Sequence, residues 1–350
     1  MISEDVYKRL RVYLDNLPGG FPSTESGVEL KILERLFTPK EAEMTMCLTA
    51  GPEPASVIAG RSGMEESEAP EFLESMARKG LIFRMRAGED TYYMAAMFVI
   101  GIYEFNINNL DRELAEMMDE YIPELTLVPK QVRVVPVGTA VDTTPSVASY
   151  DRVRELVKNQ PLASVAPCIC RKEKGLLGSE CSRPLETCLQ FGMAAQYYIE
   201  NGIAREISIQ EALGVLDLAE ESALVLMPDN AVDIMMICCC CSCCCGIMRV
   251  LSSFERPADE VQATFQARID PDLCATCGTC IERCQIEAID ESDDYMKVDM
   301  ARCIGCGLCL PTCPEEAISL VERTGVEPPP ANIVESRRKI ARERGLEYNR

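Results

Sequence analysis

Eight cysteines near the C-terminus fall into two copies of one spacing, C-x2-C-x2-C-x3-C. The first copy consists of Cys274, Cys277, Cys280 and Cys284, and the second of Cys303, Cys306, Cys309 and Cys313. Tight runs of this kind supply the thiolates of cubane [4Fe–4S] clusters. All-thiolate zinc sites are the alternative, but structural zinc usually uses two C-x2-4-C pairs separated by a long loop. The spacing therefore predicts iron–sulfur clusters and one-electron chemistry.

The duplicated run resembles the module of bacterial two-cluster ferredoxins. In that family the fourth cysteine of each run binds the other cluster. The resemblance implies one [4Fe–4S] cluster on Cys274, Cys277, Cys280 and Cys313, and a second on Cys303, Cys306, Cys309 and Cys284. Pro314 follows the last cysteine as in the family pattern, whereas Gln285 stands at the equivalent place in the first run and is expected to make the surroundings of one cluster more polar. Strands are expected at residues 264–269, 296–298 and 317–321.

Eleven further cysteines lie in a central block. They are Cys168, Cys170, Cys181, Cys188, Cys238, Cys239, Cys240, Cys241, Cys243, Cys244 and Cys245, and all except Cys239 are candidate ligands of a further centre. Adjacent residues of an extended chain point in opposite directions, so neighbouring cysteines do not easily reach one metal centre, but alternate ones do. We expect Cys168, Cys170, Cys181 and Cys188 to supply one set, which the 238–245 run either completes or supplements with a second.

Several chemistries remain open for this block. One or two further iron–sulfur clusters are the leading interpretation. The alternatives are a redox-active dithiol or disulfide, structural zinc held by thiolates alone, and a catalytic site of another type. Arg171, Lys172 and Arg183 lie near the first cysteines, where they either lower thiol pKa values and offset cluster charge or are ordinary surface charges.

The block as a whole resembles Cys-rich, ferredoxin-containing proteins of anaerobes, in which such a segment precedes a two-cluster ferredoxin module. The pattern of that family is close to I-C-N-C-C-x-C-C-C, and Cys239 stands at the Asn position here. The Cys243-Cys244-Cys245-Gly246 end also resembles the CCG segment of heterodisulfide-reductase-type subunits, although only one such segment occurs. These resemblances imply an architecture and leave the chemistry open.

The N-terminal region predicts helices followed by a hairpin, and residues 26–105 resemble a winged helix-turn-helix domain. Thr38-Pro39-Lys40-Glu41 is expected to form a capping box that opens a helix. The candidate recognition helix, residues 67–79, ends in Arg78 and Lys79. Five carboxylates precede it or lie on it and would oppose docking on phosphates, namely Glu65, Glu66, Glu68, Glu71 and Glu74. This charge disfavours nucleic acid as a partner and favours protein contact or dimerisation.

Composition excludes several classes of chemistry and favours one compartment. The chain of 350 residues has 20 cysteines, no histidine, no tryptophan and a formal net charge of -21. Without histidine there is no Ser-His-Asp triad, His-ligated haem or Rieske centre. No signal-peptide core and no apolar run long enough to span a membrane are found, so we expect a cytoplasmic protein of an anaerobic or low-oxygen cell.

The sequence predicts an α+β multidomain protein. Its expected parts are a winged-helix-like domain with an N-terminal helix at 1–105, a helix and extended connector at 106–150, a Cys-rich α/β domain at 151–255, a ferredoxin-like dicluster domain at 256–325, and a Pro-rich linker with a basic helix at 326–350. The leading hypothesis is an iron–sulfur electron carrier with redox protein partners, as a homodimer or a complex subunit. The alternatives are a redox-sensing transcription regulator and an oxidoreductase whose active site is in the Cys-rich domain. An acidic loop is either a docking surface for a basic partner or a solvated loop, and it consists of Asp290, Glu291, Asp293 and Asp294.

Overall fold

The computed structural model describes residues 2–142, 147–292 and 294–347. Asp293 of the predicted acidic loop lies outside these residues. The described chain is a mixture of helices and antiparallel or short parallel strand pairs, arranged in a sheet of five strands, a sheet of three and three two-stranded ladders. No helix within it has both the length and the apolar character needed to cross a membrane.

The N-terminal region combines five helices with a three-stranded sheet. The helices are α1 (Ile2–Asp15), α2 (Val28–Leu36), α3 (Pro39–Thr45), α4 (Ala55–Ser62) and α5 (Ala69–Arg78), and the strands are β1 (Glu53–Pro54), β2 (Ile82–Ala87) and β3 (Asp90–Ala95). The predicted capping box opens α3, with the Thr38 side chain and the Glu41 side chain each accepting from the other residue's backbone N–H. The order of these elements is the one expected for a winged helix, and that assignment stays a prediction.

The hairpin of this region packs on a helix of the Cys-rich domain. The hydroxyl of Tyr197 donates to the carbonyl oxygens of Ala77 and Ile82 at 2.8 and 3.0 Å. Arg84, whose side chain is 1% exposed, pairs with Glu74 on one side and Glu200 on the other. The C-terminal end of the candidate recognition helix and strand β2 are therefore occupied by an internal contact.

The connector joins the other regions through short elements and one buried ion pair. Its elements are α6 (Tyr103–Phe105), α7 (Arg112–Tyr121), β4 (Arg133–Val134) and α8 (Gly138–Asp142). Strand β4 pairs in parallel with residues Gln262–Ala263. The guanidinium of Arg133 donates to Asp151 at 3.1 Å, and both side chains are 2% exposed. The same guanidinium also donates to the carbonyls of Tyr150 and Ala231, so it fixes the connector to the Cys-rich domain.

The Cys-rich domain is a five-stranded sheet with flanking helices. Its helices are α9 (Val153–Lys158), α10 (Ile169–Leu176), α11 (Gly192–Glu200), α12 (Ile209–Glu221) and α13 (Gly246–Ser253), and its strands are β5 (Ala163–Pro167), β6 (Glu186–Phe191), β7 (Arg205–Ile207), β8 (Val225–Pro228) and β9 (Met236–Cys240). The strand order is β7-β5-β6-β9-β8, and every neighbouring pair is antiparallel. The expected α/β arrangement is thus corrected to α+β. The seven-residue loop between β8 and β9 illustrates why, since a parallel crossover needs a dozen or more residues.

The C-terminal region contains the duplicated cysteine runs. Its elements are α14 (Pro257–Glu260), β10 (Gln262–Ala263), β11 (Phe265–Ile269), α15 (Thr279–Arg283), β12 (Ile289–Glu291), β13 (Met296–Val298), β14 (Ile318–Glu322) and α16 (Ile333–Glu343). Strand β11 pairs with β14, and β12 with β13. All three strands predicted for this module form, to within a residue or so.

The two runs repeat their backbone conformation as well as their spacing. Positive φ angles recur at equivalent places, with Thr276 matching Gly305, Gly278 matching Gly307, and Glu287 matching Glu316. Gly305 is required for close approach as well, because a Cβ there would lie 2.0 Å from the carbonyl oxygen of Phe265. Repeated left-handed turns direct both cysteine runs around equivalent centres.

Helix α16 lies back across the body of the protein. The preceding linker is fixed by backbone hydrogen bonds from Val232 to Pro330 and from Asp233 to Ala331. Beyond the helix, the Arg344 guanidinium donates to the carbonyl oxygen of Leu17 at 2.6 Å. The basic C-terminal helix is therefore packed against the N-terminal and Cys-rich regions.

Candidate metal centres

Four of the ferredoxin-type cysteines surround one small cavity. Its walls include Cys274, Cys277, Cys280 and Cys313, the set expected to bind the first cluster. Cys277 is exposed, whereas Cys280 is buried. The exposed edge makes this the most solvent-accessible of the cysteine sets in the ferredoxin-type region.

The other four cysteines of the region are deeper. Cys303 and Cys309 are buried, and burial raises the pKa of Cys306 to about 12. Burial is the main cause of the raised pKa values of Cys303, Cys306 and Cys309. The negative charge of the Cys284 thiolate raises these pKa values further. Cys284 therefore lies beside the second run, as the crossed ligand pattern requires.

Backbone amides are aimed at sulfur atoms in both halves of the repeat. The donors and acceptors are Ala267 to Cys303 at 3.3 Å, Ala288 to Cys284 at 3.2 Å, Met296 to Cys274 at 3.5 Å and Ala317 to Cys313 at 3.3 Å. Each donor is a peptide N–H that favours the thiolate form of its partner. Hydrogen bonds of this kind also tune the reduction potential of a thiolate-bound cluster.

A compact group of four thiols occurs in the central block. The ligand atoms of Cys181, Cys241, Cys243 and Cys244 all lie within 4.8 Å of one another. Cys243 is central to this group, with its Sγ 3.6 Å from the Sγ atoms of both Cys181 and Cys244. We call this group the four-thiol site. Because Zn–S bonds are about 2.3 Å, a tetrahedral ion separates its sulfurs by about 3.8 Å, close to the distances seen here.

Six other thiols of the block form a continuous chain of contacts. Sulfur contacts run from Cys168 to Cys170, on to Cys245 and Cys240, and then to Cys238 and Cys188. The Sγ atoms of Cys245 and Cys240 are 3.2 Å apart. We call this group the six-thiol site, and its members are Cys168, Cys170, Cys188, Cys238, Cys240 and Cys245.

Secondary structure explains how the cysteines are divided between the two sites. Cys238 and Cys240 alternate along strand β9, so their side chains share one face of the sheet, while Cys239 points to the other. The chain turns immediately afterwards, and the turn carries Cys241, Cys243 and Cys244 to the four-thiol site. Neighbouring cysteines in sequence are thus divided by strand alternation and by a single turn.

Positive charge converges on the six-thiol site. Cys168 and Cys245 each cap the N-terminus of a helix, α10 and α13, where the helix dipole favours negative charge. The Arg171 guanidinium is buried, and it donates to the carbonyl oxygen of Cys239 at 2.7 Å. Burial acts to lower the pKa of Arg171, but thiolate charges, that of Cys168 first, raise it above its usual value. The arrangement therefore stabilises several thiolates together.

A cavity of about 60 Å³ borders the six-thiol site. Its other wall is apolar and comes from the connector and α13, including Ile100, Ile122 and Val250. Glu104 also lines it, and burial raises the pKa of this carboxyl to about 8. A thiol-rich wall facing an apolar wall and a half-buried acid is typical of a site that binds a cofactor or a small substrate.

A hydrogen-bonded bridge joins the ferredoxin-type region to the four-thiol site. The side-chain oxygen of Gln285 accepts from both the backbone N–H and the hydroxyl of Ser242, each at 3.1 Å. Gln285 follows Cys284, and Ser242 stands between Cys241 and Cys243. The residue that departs from the ferredoxin pattern is therefore the one that contacts the central block.

Residues 267–320 match the family described as a 4Fe-4S dicluster domain. No curated protein and no solved structure matches the chain. The family match and the four-thiol site together indicate an iron–sulfur electron-transfer function. They confirm the ferredoxin-type module in outline, while the winged helix and the Cys-rich family remain resemblances.

The expected grouping of the central cysteines needs one correction. Cys181 does not join Cys168, Cys170 and Cys188, because it lies on the loop before β6 and reaches Cys243 instead. All ten candidate ligands of the block nevertheless fall in one of the two sites, the six-thiol site or the four-thiol site.

The nearby basic residues take different roles. Arg171 is not a surface charge, and Arg183 lies 3.4 Å from the sulfur of Cys243. Lys172 turns away and donates to the carbonyl oxygen of Ile107 at 2.5 Å.

Sequence reasoning missed two contributors to these centres. Glu104 is separated from the cysteine block by many residues, and its burial depends on the packing of the connector. For Gln285 the sequence shows only the departure from the proline of the ferredoxin pattern, and nothing in it identifies Ser242 as the partner. Glu104 has no local sequence signal.

Proposed function

We propose that this protein is an iron–sulfur electron-transfer protein in which the ferredoxin module and the Cys-rich domain form one electron path. The module holds two [4Fe–4S] clusters, one on Cys274, Cys277, Cys280 and Cys313 and one on Cys303, Cys306, Cys309 and Cys284. The observation that carries the proposal is the bridge from Gln285 to Ser242, because it places Cys284 next to the four-thiol site. Clusters of this kind supply single-electron chemistry.

The order of the centres follows from exposure and sequence adjacency. Because Cys277 is exposed and Cys309 is buried, we propose that the first cluster lies nearer solvent and a protein partner and that the second lies further inside. The four-thiol site comes next through the bridge. The six-thiol site is its immediate neighbour, since Cys240 and Cys241 are consecutive but belong to different sites.

We propose different occupants for the two central sites. The short sulfur distances of the four-thiol site suit one tetrahedral ion, either iron or zinc. Six convergent thiols exceed the four that a single tetrahedral ion uses, so the six-thiol site is proposed to hold an iron–sulfur cluster.

A second candidate function is an oxidoreductase whose active site is the six-thiol site. It is favoured by the cavity that this site shares with Glu104 and an apolar wall. A redox-sensing transcription regulator is less well supported, because Glu65, Glu66, Glu68 and Glu71 are exposed on the candidate DNA-binding face.

The proposed partners are redox proteins, and the proposed location is the cytoplasm. Glu315 lies in the wall of the first cluster's cavity beside Cys277, and it gives the exposed edge a negative charge suited to a basic partner. The cytoplasm is proposed because cysteines at metal-ligand spacings suit a reducing compartment. A homodimer or a place in a larger complex stays a proposal.

Anaerobic quantification of iron, zinc and sulfide, with EPR after dithionite reduction, tests the function. We expect more than about eight irons per chain, because two cubanes alone supply that number. Cys240→Ser should lower iron and sulfide while leaving the ferredoxin signals, and Cys47→Ser is the matched control outside the proposed sites. About four irons in the wild type, or equal losses in the two variants, would contradict the proposal.

A further inference from the structure

A second, larger cavity lies on the other side of Ile100 from the six-thiol site. The part that adjoins the six-thiol site through Gln190 and Met236 is called the inner part and has a volume of about 90 Å³. The other part is called the outer part and has a volume of about 480 Å³. The two parts share several wall residues, among them Phe83, Met97 and Met235. Their combined size is in the range of small-molecule sites.

The outer part is apolar and rich in methionine. Met85, Met94 and Met193 line it beside the shared residues, and Met193 is 46% exposed at its mouth. Flexible thioether side chains adapt to ligands of irregular shape, and they contact aromatic rings favourably. This part is suited to the apolar portion of a ligand.

The inner part carries polar atoms that have no partner. The Oε1 atom of Gln131 is buried without a hydrogen bond, although its Nε2 donates to the carbonyl oxygen of Val99 at 2.8 Å. The Nε atom of Arg337 is likewise buried and unpartnered within the described residues. Buried polar groups are almost always satisfied, so one free acceptor and one free donor in the same cavity indicate a ligand that supplies an acceptor and, in one of its redox or protonation forms, also a donor.

The inner end adjoins the six-thiol site through single side chains. Gln190 lines the cavity and donates to the Sγ of Cys188 at 3.0 Å. Met236 also lines it, and its sulfur is 3.7 Å from the Sγ of Cys238. A ligand head group in this end would be one side chain away from two of the six thiols.

We propose that this cavity binds a small apolar molecule of the quinone class, with one oxygen at Arg337 and Gln131. A quinone oxygen accepts from the Arg337 Nε–H, and the hydroxyl of the reduced form donates to Gln131 Oε1. The ring and any side chain lie among the methionines. On reduction the quinone takes up two electrons and two protons to give a hydroquinone.

The source of these electrons rests on the proposed function. They come from a low-potential donor protein through the iron–sulfur centres, and the protons come from water. Binding of the quinone, by contrast, depends only on the cavity and its polar atoms.

Anaerobic calorimetric titration of the intact, oxidised protein with 2,3-dimethyl-1,4-naphthoquinone, whose quinone ring has no free position for thiol addition, tests binding independently of electron transfer. We expect saturable binding, no binding of 2,3-dimethylnaphthalene, and affinity about ten- to a hundredfold weaker in Arg337→Met, because a charge-assisted hydrogen bond is lost. Arg342→Met, on the exposed face of the same helix, is the matched control and should bind as the wild type does.

Further measurements separate the two proposals. After excess dithionite, which reduces the quinone directly, has been removed, reoxidation of the reduced protein by the quinone should be slower in Arg337→Met than in Arg342→Met. Binding without reoxidation would keep the cavity proposal and contradict the electron path to it. No saturable binding, or equal affinity in wild type and Arg337→Met, would overturn the cavity proposal, and so would unchanged binding in Ala194→Leu, which adds bulk to the inner wall.

Discussion

Replacing Gln285 with leucine should loosen the four-thiol site without unfolding the ferredoxin-type module. Leucine is close in size to glutamine, so the buried position stays filled, but the acceptor for the two Ser242 donors is removed. Each neutral hydrogen bond contributes about 0.5–1.5 kcal/mol, and water can replace part of this because Ser242 is exposed. The net loss is therefore about 1 kcal/mol, which raises the population of the opened turn about fivefold.

Metal extraction by a chelator under anaerobic conditions measures this opening. We expect the metal of the four-thiol site to leave about five times faster in Gln285→Leu than in the wild type, while the visible absorbance of the ferredoxin-type clusters decays at an unchanged rate. Exchange through a rapidly closing turn follows the equilibrium population of the open form.

Gln285→Glu is the matched control, because a carboxylate keeps an acceptor oxygen at the same position. Its extraction rate should stay within about twofold of the wild-type rate. If the leucine and glutamate variants lose metal equally fast, the bridge does not hold the turn, and the link between the two regions must be sought elsewhere. If cluster absorbance is lost first in Gln285→Leu, the side chain serves the ferredoxin-type module and not the four-thiol site.

Three further changes probe the centres and the frame that holds them. Cys181→Ser should remove about one metal ion per chain by elemental analysis, whereas Cys47→Ser should remove none. Arg133→Met should lower the free energy of unfolding by about 3–5 kcal/mol in denaturant titrations, because it leaves a buried carboxylate unpaired, while Arg154→Met, at an exposed pair, should cost less than about 1 kcal/mol. Burial acts to raise the pKa of Glu41, but its lysine partner and the helix cap lower it. The wild type should therefore hold extra stability at neutral pH that is lost as pH falls below about 4, and circular dichroism should show a shallower acid dependence in Glu41→Gln.

The ferredoxin-type module was predictable because its ligands are set by local spacing. The first three cysteines of each run lie within seven residues, so the chain must curve to bring them to one centre, and the left-handed turns at Gly278 and Gly307 provide that curvature. The match at 267–320 and the strands β11, β13 and β14 agree with that prediction. The pairing of β11 with β14 likewise follows from the repeat, because the strand before the first run lies beside the strand after the second run.

The central block was predictable only in part, because the division of its cysteines between the two sites depends on strand register. Alternation separates Cys239 from Cys238 and Cys240 wherever β9 forms, and this part follows from sequence. Cys188 lies beside Cys238 because β9 pairs with β6 in the register that sets Leu189 opposite Ile237. That register is a long-range contact, and a shift of one residue would have sent the thiols to the opposite face.

The distribution of charge favours metal centres inside this protein over free thiols. The chain carries a net charge of -21, so its surface opposes the addition of further negative charge. Six thiols in contact would repel one another as thiolates. The hydrogen bond to Cys170 and then burial raise the pKa of Cys168. The same hydrogen bond acts to lower the pKa of Cys170, but the hydrogen bond with Cys245 and burial raise it above its usual value. Yet the helix N-termini at Cys168 and Cys245 lie at the six-thiol site, and the Arg171 guanidinium lies among thiols of both sites, Cys168 and Cys241 foremost. The Arg171 charge and the two helix dipoles favour thiolates over neutral thiols at these positions, so the arrangement is best explained by thiolates bound to a metal centre.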